Sequence, residues 1–143
     1  MKEKFINAYM DVAKRFAELS SAKRLKVGAI IVKDDRIISI GYNGMPAGWT
    51  NDCEDIIEHY EDGSFLTKTK DEVIHAEQNA LYKLAGSNEC GKNSTMFLTH
   101  GPCIECAKGI YTSGISEVFY EKEYRNSEGI NFLLKCGVNV KRI

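Results

Sequence analysis

Two short segments, His75-Ala76-Glu77 and Pro102-Cys103-Ile104-Glu105-Cys106, restrict the fold of this chain more than any other feature, because using them together requires two helix starts to meet at one point. Cys103 and Cys106 stand at i and i+3, and a helix beginning at Pro102, a residue suited to a first turn, puts both sulfurs on one face. The helix N-terminus favours their thiolate forms. His75 and Glu77 likewise open a helix carrying Ala80, Leu81 and Leu84. Two thiolates and an imidazole fill three corners of a tetrahedron around Zn²⁺ and leave the fourth to water, the mark of a catalytic rather than a closed structural site. Such a metal brings the pKa of water towards neutrality. Glu77, two residues beyond the histidine, is placed to take that proton and return it. Each half alone is ambiguous: a C-x-x-C serves equally in a zinc ribbon or a redox pair, and an isolated H-x-E is close to noise.

Bulk properties narrow the setting. The 143 residues suffice for one domain, 1–143, with a single core. Nineteen basic against twenty acidic side chains, a net charge of −1, give no general footprint for nucleic acid, although a local basic patch can still hold a phosphate. Lys2, Glu3 and Lys4 precede an amphipathic stretch, and no uninterrupted apolar run serves as a signal or membrane span, so no membrane partner is expected. Five cysteines, an odd number, point to reduced thiols and a cytoplasmic protein, with Cys90 and Cys136 packed as small apolar residues or unpaired.

Periodicity supplies the elements. Phe5, Ile6, Tyr9, Met10, Val12, Ala13, Phe16 and Ala17 recur at helical spacing, which predicts one amphipathic helix over the first twenty residues. Residues 27–32 and 36–42 are β-branched runs split by Lys33-Asp34-Asp35, an antiparallel hairpin. From Asn43 to Lys70 no period is sustained, and a long functional loop is expected. The rest alternates helix and strand (76–84, 95–99, 103–112, 117–120, 128–135, 138–141), which predicts an α/β fold whose sheet has a parallel portion.

H-x-E followed by P-C-x-x-C is the signature of the zinc nucleobase deaminases. Together with Val27-Gly28-Ala29-Ile30-Ile31-Val32, the segment Gly41-Tyr42-Asn43-Gly44-Met45-Pro46-Ala47-Gly48 and His75-Ala76-Glu77-Gln78-Asn79-Ala80, the chain resembles the deoxycytidylate (dCMP) deaminase branch of the cytidine deaminase superfamily from about Val27 to Ile143. The G-Y-N-G stretch points to the deoxynucleotide branch. The resemblance implies a three-layer α/β/α fold around a five-stranded mixed sheet. It implies hydrolytic deamination of dCMP to dUMP and ammonia for thymidylate supply, with His75, Cys103 and Cys106 as zinc ligands and Glu77 as proton carrier.

For the substrate it implies that Asn43 contacts the sugar, that Tyr124 stacks on the pyrimidine, and that Ala76 and Gly101 present backbone groups to the base. Ser21, Arg24 and Lys26 are placed near the phosphate, Arg24 foremost because its planar fork suits that group. Each has a plainer reading: a turn asparagine, a surface tyrosine, a solvated helix end. Relatives with G-Y-N-G are often homohexamers activated by dCTP and inhibited by dTTP near that motif, which brings in Gly41, Gly44 and Met45. Two departures stand out. His100 replaces an apolar residue, so either the pocket wall differs or the imidazole points outward, and Ile74 replaces a cysteine seen in relatives that hold a second zinc. Cys53 and His59 alone cannot close such a site, so one zinc per chain is expected. A deaminase of free cytidine, cytosine or guanine would use the same metal set. A tRNA adenosine deaminase would be more basic, and an inactive zinc-binding subunit would have no use for Glu77.

Overall fold

The computed structural model describes residues 1–143. Helix α1 (Glu3–Ala17) leads into the hairpin β1 (Gly28–Lys33) and β2 (Arg36–Tyr42), then into a second hairpin, β3 (Glu54–His59) and β4 (Phe65–Thr69). The remainder runs α2 (Ala76–Ala85), β5 (Thr95–His100), α3 (Ile104–Thr112), β6 (Glu117–Lys122), α4 (Glu128–Lys135) and β7 (Asn139–Arg142). Five strands form one mixed sheet in the order β2-β1-β5-β6-β7, antiparallel on the β2-β1-β5 side and parallel through β5-β6-β7. The parallel half follows from the strand-helix-strand alternation, since each crossover must return the chain in the same direction.

The central strands are apolar on both faces, and alternation sorts their side chains into two cores. Ala29 and Ile31 of β1, Met96 and Leu98 of β5, and Val118 of β6 pack under Ala80, Ile110 and Leu133 of α2, α3 and α4. The intervening residues Ile30, Val32, Phe97 and Phe119 meet Met10 and Ala13 of α1 on the other face. The result is the expected three-layer α/β/α arrangement. Asp34 and Asp35 both have positive φ (51° and 58°), the two-residue turn whose twist matches a right-handed hairpin.

Several boundaries differ from expectation. Helix α1 stops at Ala17 rather than near residue 20, and α3 starts at Ile104, with Cys103 as its N-cap and Pro102 outside it. The expected loop from Asn43 to Lys70 contains the β3–β4 hairpin. This hairpin lies on no core: nearly every residue of both strands is exposed, so no hydrophobic alternation marks it. Ile56 and Ile57 sit side by side at a bulge, where the register slips by one residue, and that pair breaks the period of two.

Gly41, expected near an effector, has a packing role. A Cβ on it would overlap the Ala76 carbonyl oxygen and crowd the Ala80 amide, so only glycine lets α2 lie this close to β2. Gly41→Ala is expected to destabilise the protein by about 3 kcal/mol through overpacking and to loosen the start of α2, where His75 sits. Urea denaturation with parallel metal analysis measures both effects. No helix is long and apolar enough to cross a membrane.

Candidate active site

Both metal-motif segments sit at helix N-termini, as their spacing requires. His75 is the N-cap of α2, its backbone N–H donating to Gln78 Oε1 at 3.0 Å, and the residue before it is pinned to the G-Y-N-G turn by paired Gly44–Ile74 backbone hydrogen bonds of 3.1 and 2.9 Å. Asn79 adds a bond from Nδ2 to the Tyr42 carbonyl at 3.0 Å. On the opposite side Cys103 caps α3, its sulfur accepting from the Cys106 N–H at 3.4 Å. Gly129, the second residue of α4, packs so closely on the Pro102 and Cys103 carbonyls that any Cβ would overlap them. Three helices thus hold the two ligand segments in place.

His75 Nδ1 lies 3.3 Å from Cys106 Sγ and 3.6 Å from Cys103 Sγ. A tetrahedral zinc with ordinary Zn–N and Zn–S bonds sets its nitrogen and sulfur donors about 3.6 Å apart. All three donor atoms fall within 4.8 Å of one another. The set therefore fits Zn²⁺ in geometry and in ligand softness. Its protonation agrees. Donation from the Cys106 thiol, helped by His75, holds Cys103 down at about 4, while the same pairing and burial push Cys106 well above the usual thiol range. A bound cation would replace the positive charge of the thiol proton. His75 is raised chiefly by its hydrogen bond to Cys103.

Glu77 is buried beside this cluster, and desolvation pushes its carboxyl up to about 7, opposed by its own backbone N–H and by His75. A group that holds and releases protons with near-equal ease at neutral pH is suited to general acid–base work.

Cys106 is buried, while His75, Glu77 and Cys103 line a cavity of about 910 Å³. Of the residues expected around a substrate, Asn43, Ala76, Gly101, Tyr124 and Arg24 all line it. Ala76 opens α2, so its N–H has no acceptor within the helix. Tyr124 carries the Arg125 guanidinium 5.4 Å from its ring centroid. The Asn43 side chain is already committed on two sides: Oδ1 accepts from the Val27 N–H at 2.9 Å and Nδ2 donates to the Leu25 carbonyl at 2.8 Å. It shapes the wall at least as much as it faces the cavity, and one donor and one lone pair remain.

Ser21 and Lys26, also expected near the phosphate, do not line this cavity. Ser21 lines a second cavity of about 420 Å³ together with Gly44 and Met45. The lining includes three further cations that no sequence motif marks: Lys68, Lys122 and Arg125. Lys68 arrives on the unexpected β4, whose Thr67 carbonyl also accepts from Arg24 Nη1 at 2.9 Å. His100 lines the wall instead of pointing outward.

The model of the cytidine and deoxycytidylate deaminase zinc-binding region matches residues 3–122. The chain belongs to this family. Among relatives of this deaminase family, the deoxycytidylate deaminase of Saccharomyces cerevisiae is 33% identical over 143 residues, covering 99% of this chain and 46% of the yeast protein. That of Enterobacteria phage T4 is 31% identical, covering 92% of this chain and 86% of the phage protein. The crystal structure of dCMP deaminase from cyanophage S-TIM5, in complex with dCMP and dUMP, superposes with a TM-score of 0.88 at 44% identity, covering 100% of this chain and 99% of the phage chain. The chain spans less than half the length of the two fungal relatives it matches.

Proposed function

We propose that this protein hydrolyses dCMP to dUMP and ammonia. The observation that carries the reading is a cavity lined by the buried Glu77 carboxyl, by His75 and Cys103 of an N,S,S donor set, and by Arg24, Lys68, Lys122 and Arg125. These four cations share the lining with Glu77, Glu105, Glu123 and Glu128; phosphate is the part of a nucleotide that such cations favour, and a nucleoside would leave them unused. The likeness to an S-TIM5 enzyme crystallised with dCMP and dUMP supports the same choice.

His75 Nδ1, Cys103 Sγ and Cys106 Sγ are the atoms that would hold zinc, which supplies Lewis acidity that makes water a competent nucleophile near pH 7. Glu77 accepts one proton as water attacks C4 and passes it to ring N3, then takes the remaining proton of the new C4 hydroxyl and delivers it to the departing amine. Water is consumed and ammonia released, so the carboxyl ends in its starting state. The Ala76 N–H, the Gly101 backbone and the Tyr124 ring orient the base, and the cations fix the other end.

The finer readings are one zinc per chain, a homohexamer, and regulation by dCTP and dTTP. The second cavity, bordered by Gly44, Met45 and Lys83 and sharing Asn43 with the first, is the place where an effector would communicate with the substrate. Exposed apolar side chains on β3 and β4, including Ile56, Ile57, Phe65 and Leu66, favour self-association. Kinetics with dCMP, cytidine and deoxycytidine, with and without dCTP and dTTP, test substrate and regulation together. The expected result is turnover of dCMP at least about 100-fold more efficient than of either nucleoside, from loss of two or more charge-assisted contacts. Equal turnover of the nucleosides overturns the reading.

A further inference from the structure

His100 ends β5, three residues before the first metal thiol, and its imidazole forms part of the cavity wall. Its Nδ1 lies 2.8 Å from the hydroxyl of the buried residue Thr99. That hydroxyl also accepts from the Gly28 N–H at 3.0 Å, across the β1–β5 pair. A threonine hydroxyl has one proton to donate, and a buried one is rarely left unpaired. Its hydrogen-bond partners are the Gly28 amide, which is a donor, and His100 Nδ1. Nδ1 must therefore be the acceptor of the Thr99 proton. The relay Gly28 N–H to Thr99 O–H to His100 Nδ1 leaves the ring's own proton on Nε2.

We propose that His100 is a specificity-determining residue that presents an uncharged Nε2–H donor to an oxygen on the uncharged part of the nucleotide, a ring carbonyl or a sugar oxygen, with Thr99 as the positioning residue that fixes the tautomer. This rests on the nucleotide deaminase reading above. Charge separates this role from that of the neighbouring cations. Burial and the Lys122 ammonium both lower the His100 pKa, with Glu121 opposing, and the same cavity is lined by Arg24, Lys68 and Arg125 and by Glu77, Glu105, Glu123 and Glu128. A ring kept neutral is a poor phosphate ligand. It is a good directional donor to a neutral oxygen, and a phenyl or aliphatic side chain at this position offers none.

The test uses the zinc-loaded protein, with nitrogen-15 histidine spectra for the tautomer and dCMP kinetics for the contact. The chain has three histidines, so His100→Gln identifies the His100 signals by their loss. The expected spectrum shows His100 as the Nε2–H form at pH 7.5, retained in Thr99→Ser and mixed in Thr99→Val. His100→Phe should raise KM for dCMP about tenfold with kcat changed less than about twofold, as loss of one neutral hydrogen bond predicts. His100→Gln, which keeps an N–H donor, should recover most of the loss. The KM ratio of His100→Phe to wild type should stay constant from pH 7 to 9. An Nδ1–H ring, an unchanged KM in His100→Phe, or a ratio that falls to unity as pH rises, the sign of an imidazolium on phosphate, would each overturn the proposal. If dCMP is not the substrate, wild-type turnover fails while the spectrum still reports the relay, so the two failures are distinct.

Discussion

Cys103→Ala is expected to purify without zinc and without deaminase activity. Removing this sulfur leaves one imidazole nitrogen and one sulfur, and it also removes the acceptor of the Cys106 N–H at the start of α3. Loss of mere outer-shell partners costs about 10–100-fold in metal affinity, so losing a direct ligand should exceed that range. Elemental analysis and dCMP turnover on the same preparation measure both consequences. His75→Ala should behave alike, since Nδ1 is the only nitrogen of the set. The fold itself should survive, because the two cores lie on either side of the sheet and neither includes Cys103. Full zinc content in Cys103→Ala would exclude this donor set. Because binding must displace the thiol proton, zinc affinity in the parent protein should also fall as pH is lowered.

The metal site was legible in the sequence because its geometry is local. A histidine capping one helix and a C-x-x-C capping another fix ligand directions within a few residues, and only their convergence depends on the sheet. The shift of the α3 start from Pro102 to Ile104 does not disturb this, since an N-cap cysteine still faces the first-turn amides. The cavity walls were less legible. Lys68 comes from a hairpin whose two faces are both exposed, so burial left no pattern in the sequence to read, although Asp62-Gly63, with Gly63 at φ 89°, was a turn signal in plain view. Ser21 and Lys26 stand close in sequence to Arg24, but an irregular segment points successive side chains in unrelated directions, and only Arg24 is tied to β4. Gly41 illustrates the converse: a glycine inside a functional motif serves helix–sheet approach, which no linear pattern reveals.

Glu77→Gln should separate catalysis from stability in opposite directions. The amide keeps the shape of the side chain and cannot carry a proton between water, N3 and the leaving amine, so turnover of dCMP should fall about 100- to 10,000-fold with zinc retained. The metal-free variant should at the same time be more stable than the metal-free parent at neutral pH. Burial raises the Glu77 carboxyl from 4.5 to about 7, so ionising it disfavours the folded state. The sign follows from linkage: below pH 4.5 the carboxyl is protonated in both states and costs nothing. Between 4.5 and about 7 the unfolded chain ionises first and the cost grows, and above about 7 it is constant at about 3 kcal/mol. Urea denaturation of the two chelated proteins should therefore give curves that coincide near pH 4 and separate by about 3 kcal/mol at pH 8. Zinc should shrink the gap, because a nearby divalent cation stabilises the carboxylate. Coincident curves at pH 8 would mean that Glu77 is solvated rather than held ready to exchange protons, and substantial turnover by Glu77→Gln would remove it from the proton path altogether.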